Sequence, residues 1–264
     1  MRKSILIAVV AVFMLGGLAT YFYWTHSQPK PEPAEAQALP SPPPEPEVHQ
    51  MIEASPAPHP LPALADSDNF MLDALAGLVN NKSLMKLFHT ERIIHNIVAT
   101  IDNLPRRRAP MSVMPLEQAP GKFTTAGDES GLSISPKNAV RYTPYVRIAE
   151  AVDAKKLVEL YVHLYPLFQQ AYERLGYPKK YFNDRLVVVL DNLLAAPDIQ
   201  EPVKLVQPGV LYLFADPDLE GRSIGQRILM RTGSKNGTII KGKLREIKQE
   251  LMLHLREKKV EGAG

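Results

Sequence analysis

Apolar and polar positions divide the chain into three stretches. From Ser4 to Trp24 the sequence is uncharged and apolar almost throughout. From residue 25 to 65 the apolar positions lose any period and proline takes over. Over the 199 residues from 66 to 264 apolar side chains recur at helical spacing, with turn residues between the periodic runs.

The third stretch predicts a mainly α domain. Asp66-Ser67-Asp68 forms an N-cap cluster before FMLDALAGLVN, whose Phe70, Met71, Leu75 and Leu78 follow a helical period. Ser83 is placed to cap a second helix running to Leu104, which Pro105 ends. Residues 105–140 read as a long loop with a short strand near Gly121–Thr125. Pro144 opens a short helix. Asp153 caps a long one that closes at Gly176, with a kink expected before Pro166. The run YFNDRLVVVLDNLLAA is a helix stopped by Pro197, and VKLV and VLYLF flank Pro208-Gly209 as a two-stranded hairpin. A helix from Leu219 to Arg231 follows. The last runs from about Gly237 to Lys258, with Ile240, Leu244, Ile247, Leu251 and Leu255 on one face. The predicted fold class is mainly α: one helical domain (66–264) with a small β-hairpin, preceded by a single transmembrane helix (1–24) and a disordered linker (25–65).

Ile5 to Trp24 would span about 30 Å as a helix, the thickness of a bilayer core. Tyr21, Phe22, Tyr23 and Trp24 supply an interfacial aromatic belt where a cleavable signal peptide needs small residues, so the segment reads as an uncleaved signal anchor. Arg2 and Lys3 place the N-terminus in the cytoplasm. The rest then lies across the inner membrane, in the periplasm of a Gram-negative cell. Twelve prolines fall between Pro29 and Pro62. That composition cannot bury enough apolar surface to offset ordering and favours an extended spacer.

Charge sharpens this division. The formal net charge of +3 is the sum of +2 in the anchor, −4 in the linker and +5 in the domain. The chain has no cysteine, which excludes disulfides, a thiol nucleophile and a thioether-linked lipid anchor.

Several unusual strings occur in order: IDNLPRR, RYTPYV, AVDAKKLVELYVHLYPLFQQAYERLGYPKKYFNDRLVVVLDNLLAAP, PVKLVQPGVLYLFADPDLEGRS and KLREIKQEL. Across residues 60–255 the chain resembles a proteobacterial domain-of-unknown-function family, number three thousand and fourteen. The resemblance implies a membrane-anchored protein with a Pro-rich linker, and no activity or site residues.

Four short strings invite enzyme readings. Gly221-Arg222-Ser223-Ile224-Gly225 matches G-x-S-x-G, but no strand runs directly into it and the only later histidine is His254. Ser83-Leu84-Met85-Lys86 with Ser67-Asp68-Asn69 suggests penicillin recognition, in reversed order; both serines read as helix caps. Gly237 to Lys243 matches a P-loop, with Leu244 where the magnesium-binding Ser or Thr belongs. Glu91 and His95, with His89 upstream, resemble a metal-ligand start but lack HExxH. No catalytic residue, metal or cofactor is assigned.

The candidate binding residues are Arg106, Arg107 and Arg108, the densest positive cluster, together with Tyr142, Tyr145, Tyr161 and Tyr165, from a 40-residue window holding seven of the ten tyrosines. The arginines suit phosphates or acidic surfaces, with a solvated loop as the plain alternative. The tyrosines suit a sugar platform, with core packing as theirs. The expected function is a non-catalytic, membrane-anchored envelope module that binds an envelope protein or polymer and no nucleic acid. The alternative, an envelope-acting hydrolase, needs Asp184 or Asp191 to converge with His163.

Overall fold

The structure is a computed structural model that describes residues 60–127, 131–200 and 202–261. These belong to one of the two units into which the chain divides, Glu47–Gly264. The predicted anchor and most of the predicted linker lie outside the described residues. Among the described residues no helix is long and apolar enough to cross a membrane.

The fold is mainly helical, with nine α-helices among the described residues and two small antiparallel strand pairs. The helices are α1 (Asp68–Val79), α2 (Lys82–Met85), α3 (Ile93–Asn103), α4 (Lys137–Ala151), α5 (Ala154–Arg174), α6 (Phe182–Leu194), α7 (Pro217–Glu220), α8 (Ile224–Arg231) and α9 (Ser234–Glu261). Strand β1 (Thr125–Ala126) pairs with β2 (Ser133–Ile134), and β3 (Leu205–Val206) with β4 (Leu213–Phe214). A bridge between Ser133 and Lys204 joins the two pairs.

Helix α5 is the axis of the main core. It packs on α3, α6 and α9, and α9 also packs on α4, α7's neighbour α8, and α6. Phe182, Ile93, Ile94, Leu164, Leu251 and Val98 are fully buried there. The predicted stripe of α9 faces this core: Leu251 and Leu255 are buried, and Leu244 and Ile247 pack against them. A second cluster, Val203, Leu205, Phe214 and Met230, joins the β3–β4 hairpin to α8. The hairpin tip leaves Val210 and Leu211 in solvent.

Most sequence-derived elements stand where expected, and three differ. The helix predicted from Ser83 to Leu104 is broken. Asn81, not Ser83, caps the short α2 by accepting from the Ser83 and Leu84 amides. The chain then runs extended, Phe88 bridging Leu116, and restarts at α3 after Arg92 in the left-handed region (φ 52°). Apolar spacing continued across the break because Leu87 and Phe88 pack beside α2 and α4 without being helical. Pro144 lies inside α4 instead of opening it. Its missing N–H strands the carbonyl of Val140, a residue 72% exposed, which water can serve. The third difference is the predicted helix from Leu219, which is two helices: α7, and α8 with Ser223 as its N-cap. Asp153 caps α5 as predicted, and Pro166 does not end that helix.

Candidate functional site

The predicted arginine and tyrosine residues are mostly drawn into structure. Arg106 reaches back to Asp102 in the last turn of α3 and donates to the Tyr177 hydroxyl at 2.8 Å. Arg185 of α6 approaches the same carboxylate, Nε to Oδ1 at 2.9 Å, and also donates to the Asp102 carbonyl. The Tyr177 hydroxyl donates to Asp102 at 3.3 Å. Asp102 is buried, so one carboxylate ties together α3, α6 and the turn after α5. Arg107 contributes its backbone carbonyl to Arg227, and Arg108 is exposed.

Tyr165 is buried, and Tyr161 turns its hydroxyl to Asn183. Both sit in an aromatic group with Phe168, Tyr172 and Phe182, where Phe168 and Phe182 stack at 5.9 Å. Burial, then the neighbouring Tyr165 and Asp184, holds the Tyr161 hydroxyl far above its ordinary pKa, and burial and Asp102 push Tyr172 up to about 12. These are neutral hydroxyls inside a core. Tyr145 donates to the Glu117 carbonyl at 2.9 Å, and the Arg141 guanidinium lies 5.7 Å from the Tyr142 ring. The structure therefore gathers Tyr161 and Tyr165 on α5, and sets Tyr142 and Tyr145 apart from them on α4, where Tyr145 reaches the preceding loop at Glu117.

The enzyme-like strings have structural roles. Ser223 accepts from the Gln226 amide and donates to Asn192 at 2.8 Å. A Cβ on Gly225 would lie 2.5 Å from a Leu193 methyl and 3.1 Å from the Leu104 carbonyl, so that glycine serves helix packing. Gly237 to Lys243 lies within α9, which forms no phosphate-cradling loop. His89 pairs with Glu117 at 3.3 Å, and no three His, Asp or Glu side chains converge as metal ligands among the described residues. His163 lies beside the Phe70 ring, whereas Asp191 pairs with Lys248.

A roomy cleft lies elsewhere, where the turn before α1 meets the start of α3 and the end of α5. Its volume is about 460 Å³, within the range of small-ligand sites. Leu64, Ala65 and Ile94 form its apolar wall; Ser67, Asp68, Arg92, His95 and Arg174 bring the polar groups. Two of these are already occupied. The Ser67 hydroxyl donates to the Leu64 carbonyl at 2.8 Å. The Asp68 carboxylate accepts from the Arg92 amide at 2.7 Å and the Ile93 amide at 2.9 Å. An aspartate at the start of α1 thus caps α3, and holds Arg92 in its left-handed conformation at the rim.

The cationic groups are not occupied in this way. Arg92 and Arg174 are exposed and make no ion pair among the described residues. Burial and then the adjacent Arg92 lower the pKa of His95 below its ordinary value. In the sequence His95 stands out only as half of a metal pair with Glu91, and no motif marks Arg92 or Arg174. One string signal was available: Asp68 follows a serine at a helix start, yet its capping partner lies a helix away, at a separation no local pattern encodes.

Fold and cleft define a small helical domain with a basic concavity beside its first helix. A family model described as "Protein of unknown function (DUF3014)" matches residues 93–248, more than half of the chain, and the chain belongs to that family. No curated protein and no solved structure matches it. The match begins at the first residue of α3, so the cleft is built where the matched region meets the segment before it.

Proposed function

We propose that this chain is a single-pass inner-membrane protein of a proteobacterial envelope. It is anchored through residues 5–24 and carries its helical domain into the periplasm on a Pro-rich stalk. The domain acts there as a non-catalytic module that binds an envelope protein or polymer through the cleft of Leu64, Arg92, His95 and Arg174. The observation that supports binding over turnover is the division of labour in that cleft. The hydroxyl and the carboxylate that nucleophilic or general-base chemistry would use are spent on backbone groups, while the cations face open space.

The test is a photo-crosslinking amino acid at Ala65, on the cleft wall, in the full-length protein in native membranes. The expected result is a reproducible adduct from Ala65 that is absent from the same probe at Val210 on the hairpin tip. Equal or absent adducts from both positions overturn the reading. Topology is checked by alkaline phosphatase fused after Gly264, which is expected to be active; a stable, inactive fusion overturns the periplasmic placement.

A further inference from the structure

We propose that the cleft recognises an oxyanion group, phosphate or carboxylate, gripped by Arg92 and Arg174 with the His95 imidazole as a third donor. This deepens the binding reading and rests on it. The two guanidiniums and the imidazole line one cleft, and none of the three makes an ion pair among the described residues. Guanidinium suits this ligand class because its planar fork donates two parallel hydrogen bonds to a carboxylate or phosphate. A neutral imidazole keeps one N–H to add to them.

The terminus of α3 is not the anion site. The Arg92 and Ile93 amides already donate to Asp68, so recognition falls to side chains. Asp68 also acts as a selector. With both oxygens held by backbone amides, it does not neutralise the arginines directly, yet its charge penalises an anion that sits too deep. The cleft is far larger than one phosphate and has apolar walls in Leu64 and Ile94, so the oxyanion is the head of a larger ligand with an apolar body.

The test uses the full chain in phosphatidylcholine nanodiscs, titrated calorimetrically with inorganic phosphate and separately with acetate at constant ionic strength. Saturable binding of at least one anion is expected. Arg92→Gly and Arg174→Gln should each weaken it about tenfold or more, the loss of one charge-assisted contact, while Arg108→Gln leaves it unchanged. Arg92→Gly suits the left-handed backbone, and Arg174 is exposed and unpaired, so at least one variant remains folded. Absence of saturable binding by the wild type overturns the proposal, as does binding undiminished in both variants. In phosphatidylglycerol nanodiscs, suppression of the free-anion response assigns the head group to a lipid, and an undiminished response assigns it to a soluble or polymeric ligand. If the Ala65 adduct persists while neither anion binds, the oxyanion inference falls and the binding reading stands.

Discussion

Two places in this domain set an aspartate beside two arginines, and they do opposite things. At the end of α3, Asp102 is buried and gives its carboxylate to Arg106, Arg185 and Tyr177. At the start of α3, Asp68 gives its carboxylate to the Arg92 and Ile93 amides, and Arg92 and Arg174 are left facing a cleft. Arginine content is the same in both. What differs is the aspartate's partner. Where the acid meets guanidinium, the cations become a structural knot; where it meets backbone, they stay available.

The largest effect is expected at Asp102. Asp102→Ala leaves Arg185 beside an emptied, mostly dry position and should cost about 3 kcal/mol, the lower end for a broken buried ion pair because Arg106 is half in water. Urea denaturation followed by circular dichroism reads it; a loss below 1 kcal/mol would mean that the knot is ornamental. Asp68→Ala removes one cap from a helix end and should cost less, about 1–2 kcal/mol by the same measurement.

Next comes Arg92→Gly. It relieves the left-handed strain but adds backbone freedom to the unfolded chain, so stability should stay within about 1 kcal/mol of wild type. Arg174→Gln should change stability by no more than about 0.5 kcal/mol, since the side chain is exposed and unpaired. If either cleft variant cost as much as Asp102→Ala, the two regions would not differ in kind.

The smallest effect expected is in the pH profile. The folded-state pKa of His95 lies below its ordinary value of 6.5, so below that pH the unfolded chain takes up a proton that the folded chain refuses. Stability should therefore be at its full value above about pH 6.5 and decline as pH falls through the folded value. His95→Asn should flatten that part of the curve, and Arg92→Gly should flatten it in part.

Much of the fold was legible because local rules decide it. Asp153 caps α5, the stripe of Ile240, Leu244, Ile247, Leu251 and Leu255 marks α9, and Pro208-Gly209 marks the hairpin. The break before α3 was not legible, since helical spacing continues through Leu87 and Phe88 while the backbone leaves the helix to bridge Leu116. The arginine run at 106–108 drew attention by density, yet Arg106 is committed to Asp102 and Tyr177. The cleft's own arginines stand singly, 82 residues apart in the chain, as Arg92 and Arg174. Only the packing of α3 against α5 brings those positions to one concavity, so no string could announce them.

The turn that walls the cleft also has a mechanical consequence. Tension transmitted through Pro60 toward α1 would act on this turn on its way to the helix. Among the described residues the bonds in the path include Asp66 amide to Ala63 carbonyl, Ser67 hydroxyl to Leu64 carbonyl, then Asp68 to the start of α3. Tension would peel this turn from the domain one bond at a time instead of shearing several together. Leu61 and Leu64 also pack against the main core, so opening that wall would strip apolar cover from one side of the core itself.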